Sequence, residues 1–134
     1  MSAVHVAIID TRMVPGLLDG RKRVESRFAR QRRLPYGCVS PGDQIHFKVS
    51  GANIIGHAPV TGVREFDDLT PAAVESLRRQ YNCAILAPPT YWQARRHCRY
   101  GVLIWLGGLT SCTPPLVVPR QYGNGWMVLS GREP

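Results

Sequence analysis

Lysine is almost missing from this basic chain. Of seventeen cationic side chains only Lys22 and Lys48 are lysines, the rest are arginines, and nine acids leave a formal net charge of +8. Paired cysteines are missing too. Cys38, Cys83, Cys98 and Cys112 form no CxxC pair, and neither they nor the four histidines match a zinc-finger spacing. No metal and no cofactor is therefore expected. The N-terminus, MSAVHVAIID, lacks a charged region followed by an apolar signal core, so a reducing, cytoplasmic setting is the expectation. Long apolar runs are absent as well. The longest, residues 102–109, contains glycines and is far too short for a bilayer span, so no membrane is expected as a partner. No internal repeat or low-complexity segment occurs.

What is present suits one globular domain over residues 1–134, expected to be a monomer. A chain of this length buries roughly two-thirds of its unfolded surface. With 44% apolar and 19% charged residues, disorder is excluded. The pI near 9.9 points to an anionic partner. Arginine's planar fork suits phosphate and stacked bases, and no basic amphipathic helix is visible, so nucleic acid comes ahead of membrane.

Seven cations crowd into residues 21–33, within GRKRVESRFARQRRLPYG, around the single acid Glu25. The plain alternative is a solvated basic face with Glu25 as its internal ion-pair partner.

The chain reads as alternating elements with short connections. Val4 to Ile9 is a short apolar strand. Thr11 is placed to cap a brief helix through Leu18, ended by Gly20. A strand is expected from Arg21 to Phe28, turns at Pro35-Tyr36-Gly37 and Pro41-Gly42-Asp43, and a strand over Gln44 to Val49. A longer strand from Ile54 to Phe66 carries glycines at 56 and 62 that permit a bend. Thr70 caps a helix starting at Pro71 with a Val74, Leu77, Tyr81 stripe. A second helical piece covers Thr90 to Cys98. Arg99 to Leu106 is an apolar strand with Trp105 in the core, and the tail, with Pro114, Pro115 and Pro119, runs extended to a last strand near Trp126 to Leu129. The histidines 5, 46 and 57 read as structural.

The order of these motifs resembles the ASCH family of the PUA-like superfamily. The family's G-x-K-x-x-E-x-R segment is matched by Gly20, Lys22, Glu25 and Arg27, and its GD pair by Gly42 and Asp43. The match spans about residues 4–107 and leaves 108–134 as a proline-rich extension. The resemblance implies an α+β fold, a small PUA-like β-barrel of five to six strands with two or three short helices. It implies a cleft for RNA or a modified nucleoside. One branch of the family consists of amidohydrolases that deacylate N4-acetylcytidine with a lysine, a threonine and a glutamate, and another cleaves single-stranded RNA. Here the lysine is Lys22, the threonine position holds Glu25, and the downstream glutamate falls near Glu75, so the amidohydrolase chemistry loses its hydroxyl.

Strand alternation puts Arg23, Glu25 and Arg27 on one face, opposite Val24, Ser26 and Phe28. Lys22 joins them only if it lies in the preceding turn. A carboxylate among cations stays ionised, accepts hydrogen bonds from a base's amino edge, and makes a poor general base. Tyr36, Tyr91 and Trp92, interleaved with Arg30, Arg95 and Arg96, supply rings for stacking and cations for phosphate, although Trp92 equally suits packing. The expected function is a binding module for RNA, other single-stranded nucleic acid or a nucleotide. The alternative is a small RNA-directed hydrolase with Lys22 and Glu25 as catalytic candidates and Ser26, Thr90 or Ser111 as hydroxyl donors.

Overall fold

Strand β1, Val4–Ile9, is followed by a 3-10 turn at Thr11–Met13 and the short helix α1, Val14–Leu18. The cap is Asp10, whose carboxylate accepts the Arg12 N–H at 2.8 Å, and not Thr11 as the sequence suggested. Gly20 ends the segment at φ +82, a conformation that favours glycine. The computed structural model describes residues 2–116 and 125–130.

Strand β2 covers Val24–Ala29 and starts three residues later than the alternation predicted. The reason is in the backbone. Lys22 N–H donates to the Gly16 carbonyl and Arg23 N–H to the Ala84 carbonyl, so these residues are tied to helical segments before the ladder begins. Strands β3, Gln44–Val49, and β4, Ile54–Phe66, fall where expected. Helix α2, Pro71–Ile85, is capped by Thr70 Oγ1, which accepts the Ala73 N–H at 3.2 Å, and buries Val74 and Leu77. Helix α3 spans only Pro89–Ala94, shorter than predicted. Strand β5 is Tyr100–Leu106.

The tail contributes two strands to the sheet. Strand β6, Thr110–Leu116, holds Pro114 and Pro115 and pairs with β4 beside the glycine at 56; β7, Trp126–Ser130, pairs antiparallel with β1. Proline fits there because β6 is an edge strand. Pro119 lies outside the described residues.

The fold is α+β as expected, with seven strands in place of five or six. Their order is β2-β5-β4-β3-β1-β7, with β6 off β4, and β1 runs parallel to β3. The sheet does not close, so it is barrel-like rather than the expected barrel. Between its ends a side chain replaces the ladder. Arg27 on β2 donates through Nη2 to the Ile8 carbonyl of β1 at 2.9 Å and through Nη1 to the Gly125 carbonyl at 3.4 Å.

One core gathers Ala7, Ile45, Phe47, Val60, Ile104 and Trp126. A second, with Val24, Val74, Leu77, Ile85, Trp92 and Leu103, packs the helices against β2 and β5. Trp105 only borders this second core and is half-buried, short of the full burial expected. The turn before β3 is held by Asp43, which accepts the Ala3 and Ser40 N–H groups and meets His5 Nε2 at 2.9 Å. Trp126 Nε1 donates to His5 Nδ1 at 3.1 Å, so Nε2 carries the proton given to Asp43, and β7 is pinned to β1.

Candidate nucleic-acid interface

The cleft is the opening of the incomplete barrel. It has a volume of about 530 Å³ and lies between the end of β1, the strand β2, the 33–36 loop and the start of α3. Among the described residues β2 pairs only with β5, so its other edge has no described strand partner, and residues from both of its faces border the cleft.

Lys22, Glu25 and Arg27 form its base. Lys22 sits in the turn before β2, almost completely buried, with Nζ donating to the Val24 carbonyl at 3.1 Å and the Ile85 carbonyl at 2.8 Å. The same ammonium lies 3.6 Å from Glu25 Oε1. Glu25 Oε1 accepts its neighbour's Ser26 N–H at 3.0 Å, and Oε2 accepts from Arg27 at 3.4 Å. Burial alone would raise the Glu25 pKa, but Lys22 and then Arg27, with the Ser26 N–H, outweigh it and hold the carboxyl below its ordinary value. The group is therefore an anion at neutral pH. Arg27 is further fixed by the Trp126 ring, 5.3 Å from its guanidinium carbon.

Tyr91 forms one wall. Its hydroxyl meets Ser26 Oγ at 2.8 Å and donates to the Ser26 carbonyl at 3.0 Å. Burial pushes its pKa up, so the phenol keeps its proton. Arg95 covers a face of that ring at 3.7 Å and donates to the Tyr91 carbonyl. On the opposite wall Tyr36 packs edge-on to Tyr100, with the Arg32 guanidinium 4.9 Å from the Tyr36 ring.

Six of the ten residues singled out from the sequence line this cleft: Lys22, Glu25, Arg27, Tyr36, Tyr91 and Arg95. Four do not. Arg23 precedes the strand and escapes its alternation, and Arg30 and Arg96 are exposed outside the lining. Trp92 is core: it packs on Phe28, and its Nε1 donates to Asn82 at 3.0 Å. Of the hydroxyl candidates, Ser26 and Thr90 border the cleft and Ser111 lies on β6. Glu75 faces solvent on α2, paired with Arg78 and Arg79, and is not part of the lining. Sequence reasoning missed Asp10, Arg12, Arg33 and Tyr100. Arg33 lay in the cation cluster, but nothing local marked the others. Among the described residues no three His, Cys, Asp or Glu side chains come together as a metal site, no disulfide joins the four cysteines, and no helix is long and apolar enough to cross a membrane.

No family model matches this chain, and no curated protein does. Its fold does have solved counterparts. A point variant of an ASCH protein from Zymomonas mobilis superposes with a TM-score of 0.72 at 15% identity, over 94% of this chain and 89% of that one. An ASCH structure from Zymomonas mobilis gives 0.63 at 16% identity, over 81% and 69%. The hypothetical protein PH0355 gives 0.51 at 19% identity, over 83% and 97%. The chain thus has the fold of an ASCH domain.

Proposed function

We propose that this ASCH-like domain binds RNA, or a nucleotide from it, in the cleft at the open end of the sheet. The observation that carries the reading is Glu25: a buried, ionised carboxylate at the base of a cleft otherwise rich in arginine and tyrosine. Two of its lone-pair positions are taken by N–H donors, and a carboxylate has about four, so it retains capacity for a base's amino group. Arg33 and Arg95 around it suit phosphate, whereas Arg12 is paired with Asp10 in the same lining, and the tyrosines suit the base plane.

Binding is favoured over hydrolysis by the same geometry. The Lys22 ammonium is engaged by two carbonyls, and Glu25 is held too acidic for a general base. Residue 25 offers no hydroxyl nucleophile, and Glu75 is remote from the cleft lining.

Fluorescence anisotropy with single-stranded RNA at several salt concentrations tests this. Neutralising about three to five phosphates gives a log–log salt slope of roughly −2 to −3.5. A flat dependence, or no binding at low salt, rejects the proposal.

A further inference from the structure

Arg23, set aside by the cleft, borders a different hollow. Its main chain is anchored on both sides, N–H to the Ala84 carbonyl and carbonyl to the Leu106 N–H, each at 2.9 Å. Its exposed guanidinium forms no salt bridge with a described residue. Beside it is a depression of about 270 Å³ bordered by Tyr81 and Trp105. These two rings stand perpendicular with centroids 5.6 Å apart, so the half-buried indole is braced. Tyr81 is itself held by Arg64, whose Nη1 donates to its hydroxyl at 3.4 Å.

A smaller hollow of about 240 Å³ lies along the linker that borders both this place and the cleft. Lys22 borders both the cleft and the joining hollow, while Arg23 and Leu106 border the joining hollow and the one at Trp105. Along the linker that borders all three, Lys22 is buried and engaged, Arg21 is paired with Asp19 at 2.7 Å, and Arg23 is the exposed cation without a described ion-pair partner. An exposed arginine with no ion pair among the described residues, next to a braced, partly exposed indole, is the combination that holds a phosphate and stacks a base. The net charge of +8 favours a polyanion as the occupant.

We propose that a single strand of RNA seated in the cleft continues over this linker, with Arg23 on a phosphate and a neighbouring base stacked on Trp105. This second subsite rests on the cleft reading and adds a minimum length to the ligand: a single nucleotide fills the cleft alone, and a longer strand engages both.

The test compares nucleoside monophosphates with oligoribonucleotides of about eight residues, a length within the range single-strand binding folds cover. Each is titrated against the native protein, Arg23→Ala and Trp105→Leu. Both variants should weaken the oligonucleotide about tenfold and leave the monophosphates unchanged. Arg23→Ala should also reduce the salt slope by about 0.7. If Trp105→Leu does not fold, the exposed Arg23→Ala decides alone. Oligonucleotide affinity equal to that of the native protein in Arg23→Ala, or equal losses for both ligand lengths, overturns the second subsite and leaves the cleft standing. A native protein that binds no oligonucleotide at low salt overturns both.

Discussion

Lys22 Nζ and Glu25 Oε1 lie 3.6 Å apart with both side chains almost completely buried. The pair is satisfied from several directions: two carbonyls on the ammonium, and a backbone N–H and a guanidinium on the carboxylate. Removing one partner of a buried pair leaves an uncompensated charge and costs about 3–5 kcal/mol. Lys22→Ala should therefore lower stability by about that amount in urea melts. A loss below about 1 kcal/mol would show that solvent reaches the pair.

Glu25→Gln separates structure from recognition. The amide keeps the size and one acceptor but loses the charge, so a lower melting temperature is expected with the fold retained. If Glu25 reads an amino edge, the base preference changes in a nucleotide-panel assay, while general affinity holds or rises as the cleft becomes more positive. Unchanged preference with a lower melting temperature would make this carboxylate purely structural.

Acid should act through the same group. The folded Glu25 pKa lies below its ordinary value of 4.5, so its contribution is complete above that value and is lost as pH falls through the depressed folded pKa. The stability difference between the native protein and Glu25→Gln should thus be constant from pH 8 to about 5 and shrink below about 4. A difference that grew on acidification would contradict the charge assignment.

Arg27 holds the open ends of the sheet together as well as facing the cleft. Arg27→Ala should weaken RNA binding alike for all sequences, because it removes a positive charge from the cleft that attracts phosphate without reading a base. It also strands the Ile8 carbonyl and removes support from Gly125, for a further loss of about 1–3 kcal/mol. Arg27→Lys should not rescue it, since one ammonium cannot span both carbonyls and the Trp126 ring. Full rescue by lysine would refute the bridging role.

Gly101 lies under the cleft where β5 passes beneath Phe28. A Cβ there would come within 2.8 Å of the Phe28 ring and 3.0 Å of Leu69. Gly101→Ala should therefore destabilise by about 1–3 kcal/mol through displacement of Phe28. A melting temperature equal to the native value would show that Phe28 moves freely.

Much of this was legible in the chain itself. The alternation of β3 and β4 and the Thr70-Pro71 start of α2 are local patterns, and they place these elements without knowledge of the rest. Lys22, Glu25 and Arg27 could be grouped because six residues of chain, a turn entering a strand, cannot carry them far apart. The same local rule failed at Arg23, whose N–H is taken by Ala84, sixty-one positions away, before any ladder forms.

The tertiary structure decided everything that depends on pairing between distant segments. Tyr91 meets Ser26 across sixty-five positions, and Trp126 meets His5 across one hundred and twenty-one. Period-two alternation tells which residues share a face of a strand but not which strand lies beside it, and register follows from global packing. For that reason β6 read as extended chain where it borders β4, the last strand was expected but not its pairing with β1, and a closed barrel was expected where the sheet stays open. That opening, spanned by one arginine, is where the candidate site lies.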